Sequence, residues 1–198
     1  MAKIYFFIFN LFLFLSFFEI SATEKATLTR DLKKKSYELF KSEKYSESIP
    51  YLEKYLEVQP AEIYMRLVFA QALLLREDLP IPMRDEDSYS RIQKWKKIKS
   101  NYSESAKIFE ENVTHFEMVR PRDPSLGKWL FQWATAEWYG GNKEKAIKLY
   151  ERAVKKDFTL TDAYYNMGAI YDSMGQYADA DLQWRKFIQA EKELNVED

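Results

Sequence analysis

The side chains that carry most enzyme chemistry are scarce in this chain. His115 is the only histidine and there is no cysteine. Thiol catalysis, thiolate metal sites, disulfides and lipid attachment through cysteine are therefore excluded, and a histidine-centred triad or a zinc site has no partners of the usual kind. Acidic residues are numerous, but they are scattered along what read as helix surfaces, and no two are convincingly paired as general acid and base. No glycine-rich phosphate loop and no metal-ligand spacing occurs. The inventory predicts a chain that is not an enzyme, with no catalytic residue, no metal and no cofactor.

Two local patterns suggest other chemistry. Lys94-Trp95-Lys96-Lys97-Ile98-Lys99 has the composition of a membrane-surface or nucleic-acid patch. Asp85, Glu86 and Asp87 lie close enough in sequence to neutralise it, so it reads as a solvated helix face. Asn101-Tyr102-Ser103 and Asn112-Val113-Thr114 match the N-glycosylation acceptor triplet. In a cysteine-free chain, which leans towards a bacterial envelope protein, both triplets read as coincidence. The formal charge is −1, from 30 basic and 31 acidic residues, so the excess of cations that nucleic acid demands is missing and no nucleic-acid partner is expected.

Binding remains, and binding needs elements to position it. A hydrophobic content of 46% is enough for a real core. Only five glycines and six prolines, against abundant Leu, Glu, Lys, Ala and Tyr, favour helices over turn-dense β structure. Residues 4–18 are almost wholly apolar and follow Lys3, which makes an n-region and an h-region. The run is shorter than the roughly 20 residues that span a bilayer, and Ser21-Ala22 offers small residues for cleavage. A signal peptide over residues 1–22 is expected, with the mature chain starting near Thr23. Ile20 extends the apolar run past Glu19, so an uncleaved anchor over residues 4–20 is the alternative. Either way the chain is expected to be exported, periplasmic or secreted, with membrane contact only through this segment.

The body repeats itself. Ala134, Gly141, Ala146, Tyr150 and Ala153 align with Gly168, Gly175, Ala180, Trp184 and Phe187 at a spacing of 34 residues. A small residue in a first helix admits a second helix closely, a glycine turns the chain, a small residue answers from the second helix, and an aromatic ring fills the space beside it. Leu32, Ser36, Leu39, Tyr45, Ser48, Ile49, Leu52 and Tyr55 outline a similar unit closed by Pro60, with Glu43 where the turn glycine belongs. Tyr45-Ser46-Glu47-Ser48 recurs as Tyr102-Ser103-Glu104-Ser105, 23 residues later than a 34-residue period allows. Two arrangements fit. Residues 62–76, with Ala70 one period before its expected partner, are the first helix and are followed by an insertion; or residues 88–100 are the first helix and 62–76 an additional one. Gln93 stands where the second arrangement needs a small residue, which favours the insertion. Leu79–Asp87, with its prolines and charge run, is the best exposed loop, and Pro121–Pro124 is a second break.

These residues resemble the tetratricopeptide repeat, most closely at Met167-Gly168, Tyr171 and Gly175. The resemblance implies an all-α, right-handed superhelical stack of antiparallel helix hairpins, an α-solenoid. About four repeats are expected within a domain at 23–198. They fall near 29–60, 62–120 with an insertion near 77–100, 127–158 and 161–192. It also implies a concave groove lined by first helices that holds a peptide or a partner's helix. The family's groove spacing falls on Arg30, Lys33, Tyr37, Phe40 and Lys41, on Lys128, Phe131, Thr135, Trp138 and Tyr139, and on Tyr165, Ala169, Asp172 and Ser173. The groove would be basic in its N-terminal part and aromatic in its C-terminal half, with Lys33, Tyr37, Lys128, Phe131, Thr135, Trp138, Tyr139, Tyr165 and Asp172 as its contact residues. Relatives that clamp a terminal carboxylate need asparagine or arginine where this chain has Tyr37, Val68 and Gln132, so that activity is not expected. Trp129, Trp133 and Trp184 are assigned to packing. The expected function is an exported interaction scaffold or assembly factor with a protein or peptide partner. The alternative is a self-associating structural or envelope-complex element using the convex face or residues 79–100.

Overall fold

The structure, a computed structural model, describes residues 22–194. The leader expected over 1–22 lies, but for Ala22, outside the described residues. Eight helices follow: α1 (Ala22–Lys41), α2 (Tyr45–Val58), α3 (Ile63–Leu75), α4 (Ser88–Val119), α5 (Leu126–Gly140), α6 (Lys143–Lys156), α7 (Asp162–Ser173) and α8 (Tyr177–Leu194). Each packs on the next in sequence, and α3 also touches α5. The result is an all-α solenoid of four antiparallel hairpins, with α1, α3, α5 and α7 as first helices and α2, α4, α6 and α8 as second helices.

Small residues let the hairpins close. Ser36, Ser48, Ala70, Ser105, Ala134 and Ala146 are all fully buried, and Ala180 nearly so. A side chain on Gly168 would put its Cβ 2.3 Å from the Trp184 indole Nε1, so this ring, assigned to packing from sequence, occupies the space that the glycine leaves. In the second hairpin the Ser105 hydroxyl donates to the Ala70 carbonyl across 2.7 Å, and Asn101 Nδ2 donates to the Leu73 carbonyl at 2.7 Å. Those two bonds pair α3 with the later part of α4. The segment near 77–100 is half loop and half helix: residues 76–87 lead into a 32-residue α4. Residues 88–100 are not a separate first helix. They are the N-terminal part of the second one.

Three of the hairpin turns share one geometry. Gly141 N–H donates to Trp138 O and Asn142 N–H to Glu137 O; Gly175 and Gln176 repeat the pattern onto Asp172 and Tyr171, and Glu43 and Lys44 onto Phe40 and Leu39. This closure needs a left-handed residue at the first donor. Gly141 and Gly175 supply it at φ 99 and 75, and Glu43 adopts φ 60.

The core divides around α3. Leu67, Ala70 and Leu74 face a large apolar cluster with α4, α5, α6 and α7, while Met65, Val68, Ala72 and Leu73 face a smaller one with α2. A helix buried on both sides has to be apolar nearly all round, which explains the run Val68 to Leu75. Each large aliphatic side chain sealed in these clusters contributes about 1.5–3 kcal/mol. Trp129 and Trp133 are buried in the larger cluster, in keeping with their packing assignment.

Candidate functional site

Three of the sequence-derived groove residues converge on one cleft of about 320 Å3. Lys128, Phe131 and Thr135 line it from α5, with Leu74 and Leu75 from the end of α3, Leu160 and Thr161 from the α6–α7 connection and Asp162 from the start of α7. Helical spacing places Lys128, Phe131, Gln132 and Thr135 on one stripe of α5. Phe131 packs edge-on against Tyr150 at 5.2 Å, and Thr135 Oγ1 lies 2.8 Å from the Tyr150 hydroxyl. That hydroxyl also accepts from Asn166 Nδ2 at 3.2 Å, and burial pushes its pKa up strongly against these bonds. Tyr150 thereby fixes both Phe131 and Thr135 at the edge of the cleft.

The electrostatics are sparse and directional. Lys128 is exposed and forms no ion pair among the described residues. Gln132 is only 9% exposed and its Oε1 has no hydrogen-bond partner there. A buried acceptor left open on an otherwise apolar wall is a costly arrangement unless something donates to it. Chemically the cleft can seat an apolar side chain between Leu75, Phe131 and Leu160 while offering the open Gln132 acceptor, the Lys128 cation and the Asp162 carboxylate.

The other predicted residues spread along the array. Trp138 stacks on Tyr139 with centroids 5.3 Å apart, and Tyr139 meets Tyr102 of α4 at 5.0 Å. This aromatic cluster caps the end of α5, and Tyr139 stays half exposed. Tyr165 leans edge-on against Phe187 at 5.7 Å and presents the rest of its ring to solvent. Asp172 is exposed near the end of α7.

The N-terminal part differs from the basic groove expected. Lys33 Nζ sits 2.5 Å from Glu62, whose other oxygen accepts from the Tyr55 hydroxyl. The bond to Glu62 holds the Lys33 pKa above its ordinary value. Burial works to raise the Glu62 carboxyl, but Lys33 and Tyr55 outweigh it and the net shift is downward. Lys41 lies over the Tyr37 ring at 5.4 Å, and Arg30 pairs with Asp31 at 3.6 Å. The hydrogen bond that Tyr64 donates to the Tyr37 hydroxyl, helped by burial, pushes the Tyr64 hydroxyl up to about 12. The cations here are largely spent on neighbours, so Lys33 and Tyr37 belong to an internal cluster joining α1, α2 and α3.

Sequence reasoning missed Leu74, Leu75, Leu160 and Asp162, because the expected groove positions fall on α1, α5 and the later part of α7 and include neither α3 nor the entry to α7. Both glycosylation triplets are shut away: Asn101 and Asn112 are buried, and each Nδ2 donates to a backbone carbonyl. His115 is exposed on α4. Among the described residues no cluster of His, Cys, Asp or Glu is able to hold a metal, and no helix is long and apolar enough to cross a membrane.

A family model described as the tetratricopeptide repeat matches residues 161–192, the hairpin α7–α8. That hairpin is a tetratricopeptide repeat. A solved MamA RS-1 ArsTM double mutant superimposes with a TM-score of 0.61 at 16% identity, covering 84% of this chain and 76% of that one. MamA AMB-1 gives 0.56 at 13% identity, with 79% and 75% covered. Another MamA crystal structure gives 0.54 at 19% identity, with 84% and 75% covered. At these identities the likeness is one of fold. No curated protein matches the chain in sequence. Solenoids of this kind present extended surfaces to other proteins, and a protein-interaction scaffold is the class of function that the repeat family supports.

Proposed function

We propose that this tetratricopeptide-repeat protein is an exported interaction scaffold that holds a segment of a partner polypeptide in the cleft along α5. The carrying observation is the unpartnered acceptor of Gln132, set between Lys128 and an apolar floor of Leu74, Leu75, Phe131 and Leu160. A backbone N–H of the partner would satisfy Gln132, an aliphatic or aromatic side chain would fill the floor, and a carboxylate or carbonyl would meet Lys128. Tyr139, Tyr165 and Asp172 extend the same side of the array towards either end of a longer segment. Export is supported by the apolar residues 4–18 behind Lys3 and the small residues Ser21 and Ala22.

Peptides selected from a random twelve-residue display library against the wild-type chain provide the test. Lys128→Glu with Leu75→Asp changes two exposed side chains, so helicity by circular dichroism should be unchanged while binding of the selected peptides weakens at least about tenfold, or about 1.4 kcal/mol. Unchanged affinity in the folded double variant would remove the cleft from the binding site.

A further inference from the structure

The first part of α4 stands apart from the stack. All seven buried residues of this helix, from Asn101 to Phe116, lie in its later part, and none lies in 88–100. The hairpin ends level with Asn101 to Ser103: Asn101 bonds to the end of α3, and Ser103 is the nearest neighbour of Gly140 at the end of α5. At 1.5 Å per residue, residues 88–102 therefore rise about 20 Å beyond the ends of α3 and α5. Above its contacts with the end of α5 at Lys99 and Tyr102, the arm is braced by the preceding loop. Lys94 Nζ pairs with Glu86 and donates to the Ile81 carbonyl at 3.1 Å, and Asp87 caps the helix at Ser90 N–H across 2.9 Å.

The exposed face of the arm continues a face that is covered below. Lys99 lies beside Gly141, and Tyr102 meets Tyr139, so this side of α4 is the one that α5 packs against. Where α5 stops, the same side carries Trp95 and Ile92, which are 60% and 50% exposed, with Tyr89 at 72% one step on. Their three-residue spacing makes an apolar ridge suited to a protein groove. A bilayer is a poor fit. At about 100° per residue, Arg91, Lys94, Lys96, Lys97 and Lys99 encircle the helix, leaving no cation-free face to sink among acyl chains.

Charge points to the occupant. Residues 88–100 hold five cations and no acid, on a chain whose formal charge is −1, so the rest of the chain carries an excess of six negative charges. Lys96 and Lys99 form no ion pair among the described residues. The last hairpin, 162–194, has six acidic residues against three basic ones, with Asp172 and Asp179 exposed. Tyr177, Leu182 and Ile188 are exposed on it as well, at 71%, 49% and 52%. We infer that the arm docks on the acidic C-terminal hairpin of a second copy of this chain. The two patches are different surfaces, so the contact is head-to-tail and each copy keeps a free arm and a free hairpin for the next. This contact does not use the α5 cleft itself, and it shares only Asp172 with the reading given for the cleft.

The test is site-directed photocrosslinking in the full-length chain. A photoreactive phenylalanine analogue replaces Trp95, and two differently tagged copies are expressed together. The expected product joins position 95 of one copy to residues 162–194 of the other. Its yield should fall about tenfold with Lys96→Glu and Lys99→Glu and recover when Asp172→Lys and Asp179→Lys are present in the second copy, as complementary charge requires. Lys128→Glu with Leu75→Asp should leave it intact, which separates failure here from failure of the cleft. Crosslinks only to a different protein, only to lipid or to nothing would overturn the inference, as would a product indifferent to the charge reversals.

Discussion

Glu43 occupies a backbone conformation that the equivalent glycines at 141 and 175 reach without steric strain. A non-glycine residue in the left-handed region is disfavoured by about 1–2 kcal/mol. Glu43→Gly should relieve part of this strain, offset by the added freedom of the unfolded chain. A net gain of about 1 kcal/mol would raise the thermal midpoint by about 2–4 °C, readable by calorimetry. Gly175 has nothing within 4 Å of an added Cβ, so Gly175→Ala isolates the same backbone effect with the opposite sign and should lower the midpoint. If both substitutions move it in one direction, the turns are not equivalent. The glycine missing from the first turn was visible in the sequence, but its consequence was not, because the identity of a residue does not tell whether the chain avoids the left-handed turn or pays for it.

At the scale of elements, α4, α5 and α6 are fastened by one carboxylate. Glu137 is buried and accepts from Trp133 Nε1 at 2.9 Å, Asn142 Nδ2 at 2.6 Å and Lys145 Nζ at 2.8 Å. Lys145 reaches on to Glu110 of α4 at 2.8 Å and lies 5.1 Å from the centroid of the Trp133 ring. Burial pushes the Glu137 carboxyl up, but the donors from Lys145, Asn142 and Trp133 outweigh it and hold it below the ordinary value. A depressed carboxylate pKa contributes stability that is complete above the unfolded value of about 4.3 and disappears as pH falls through the lower folded value. Glu137→Gln should cost about 3 kcal/mol at neutral pH, because Lys145 and the indole lose their shared acceptor charge. It should also flatten the acid side of the stability profile in urea titrations between pH 3 and about 6. A variant as acid-sensitive as the parent would show that Glu137 is not the titrating fastener. This network was invisible beforehand. Glu137 lies among aromatic and small residues in the repeat pattern, and nothing in its spacing marks it as enclosed.

The whole molecule is a row of hairpins in which α3 belongs to two apolar clusters at once. Hydrogen exchange should therefore find the slowest amides in α3, α5 and α6. In dilute solution at high salt, residues 88–100 should exchange quickly, because opening the arm exposes no sealed apolar side chain. Protection there equal to that of 101–119 would mean that the arm is part of the core. The all-α hairpin architecture and the small-residue contacts at Ala134, Ala146, Gly168 and Ala180 were legible from the sequence, since steric closure repeats with the period. So was the pairing of Ala70 with the segment beginning at Tyr102. The cleft was legible only in part: Lys128, Phe131 and Thr135 follow from helical spacing, whereas Leu75 and Asp162 arrive through the relative placement of neighbouring repeats, which no single period encodes. In the N-terminal part, Glu62 and Asp31 come from outside that spacing and pair with Lys33 and Arg30.

The growth of α4 at its outer end has one more consequence. Added turns lengthen the helix away from the array, so the register of Ser105 against Ala70 is indifferent to how many there are. Reach and stacking are thus two separately adjustable dimensions of the same helix. Whole turns removed from or added to the outer end alter how far the molecule extends, while the solenoid beneath keeps its pitch.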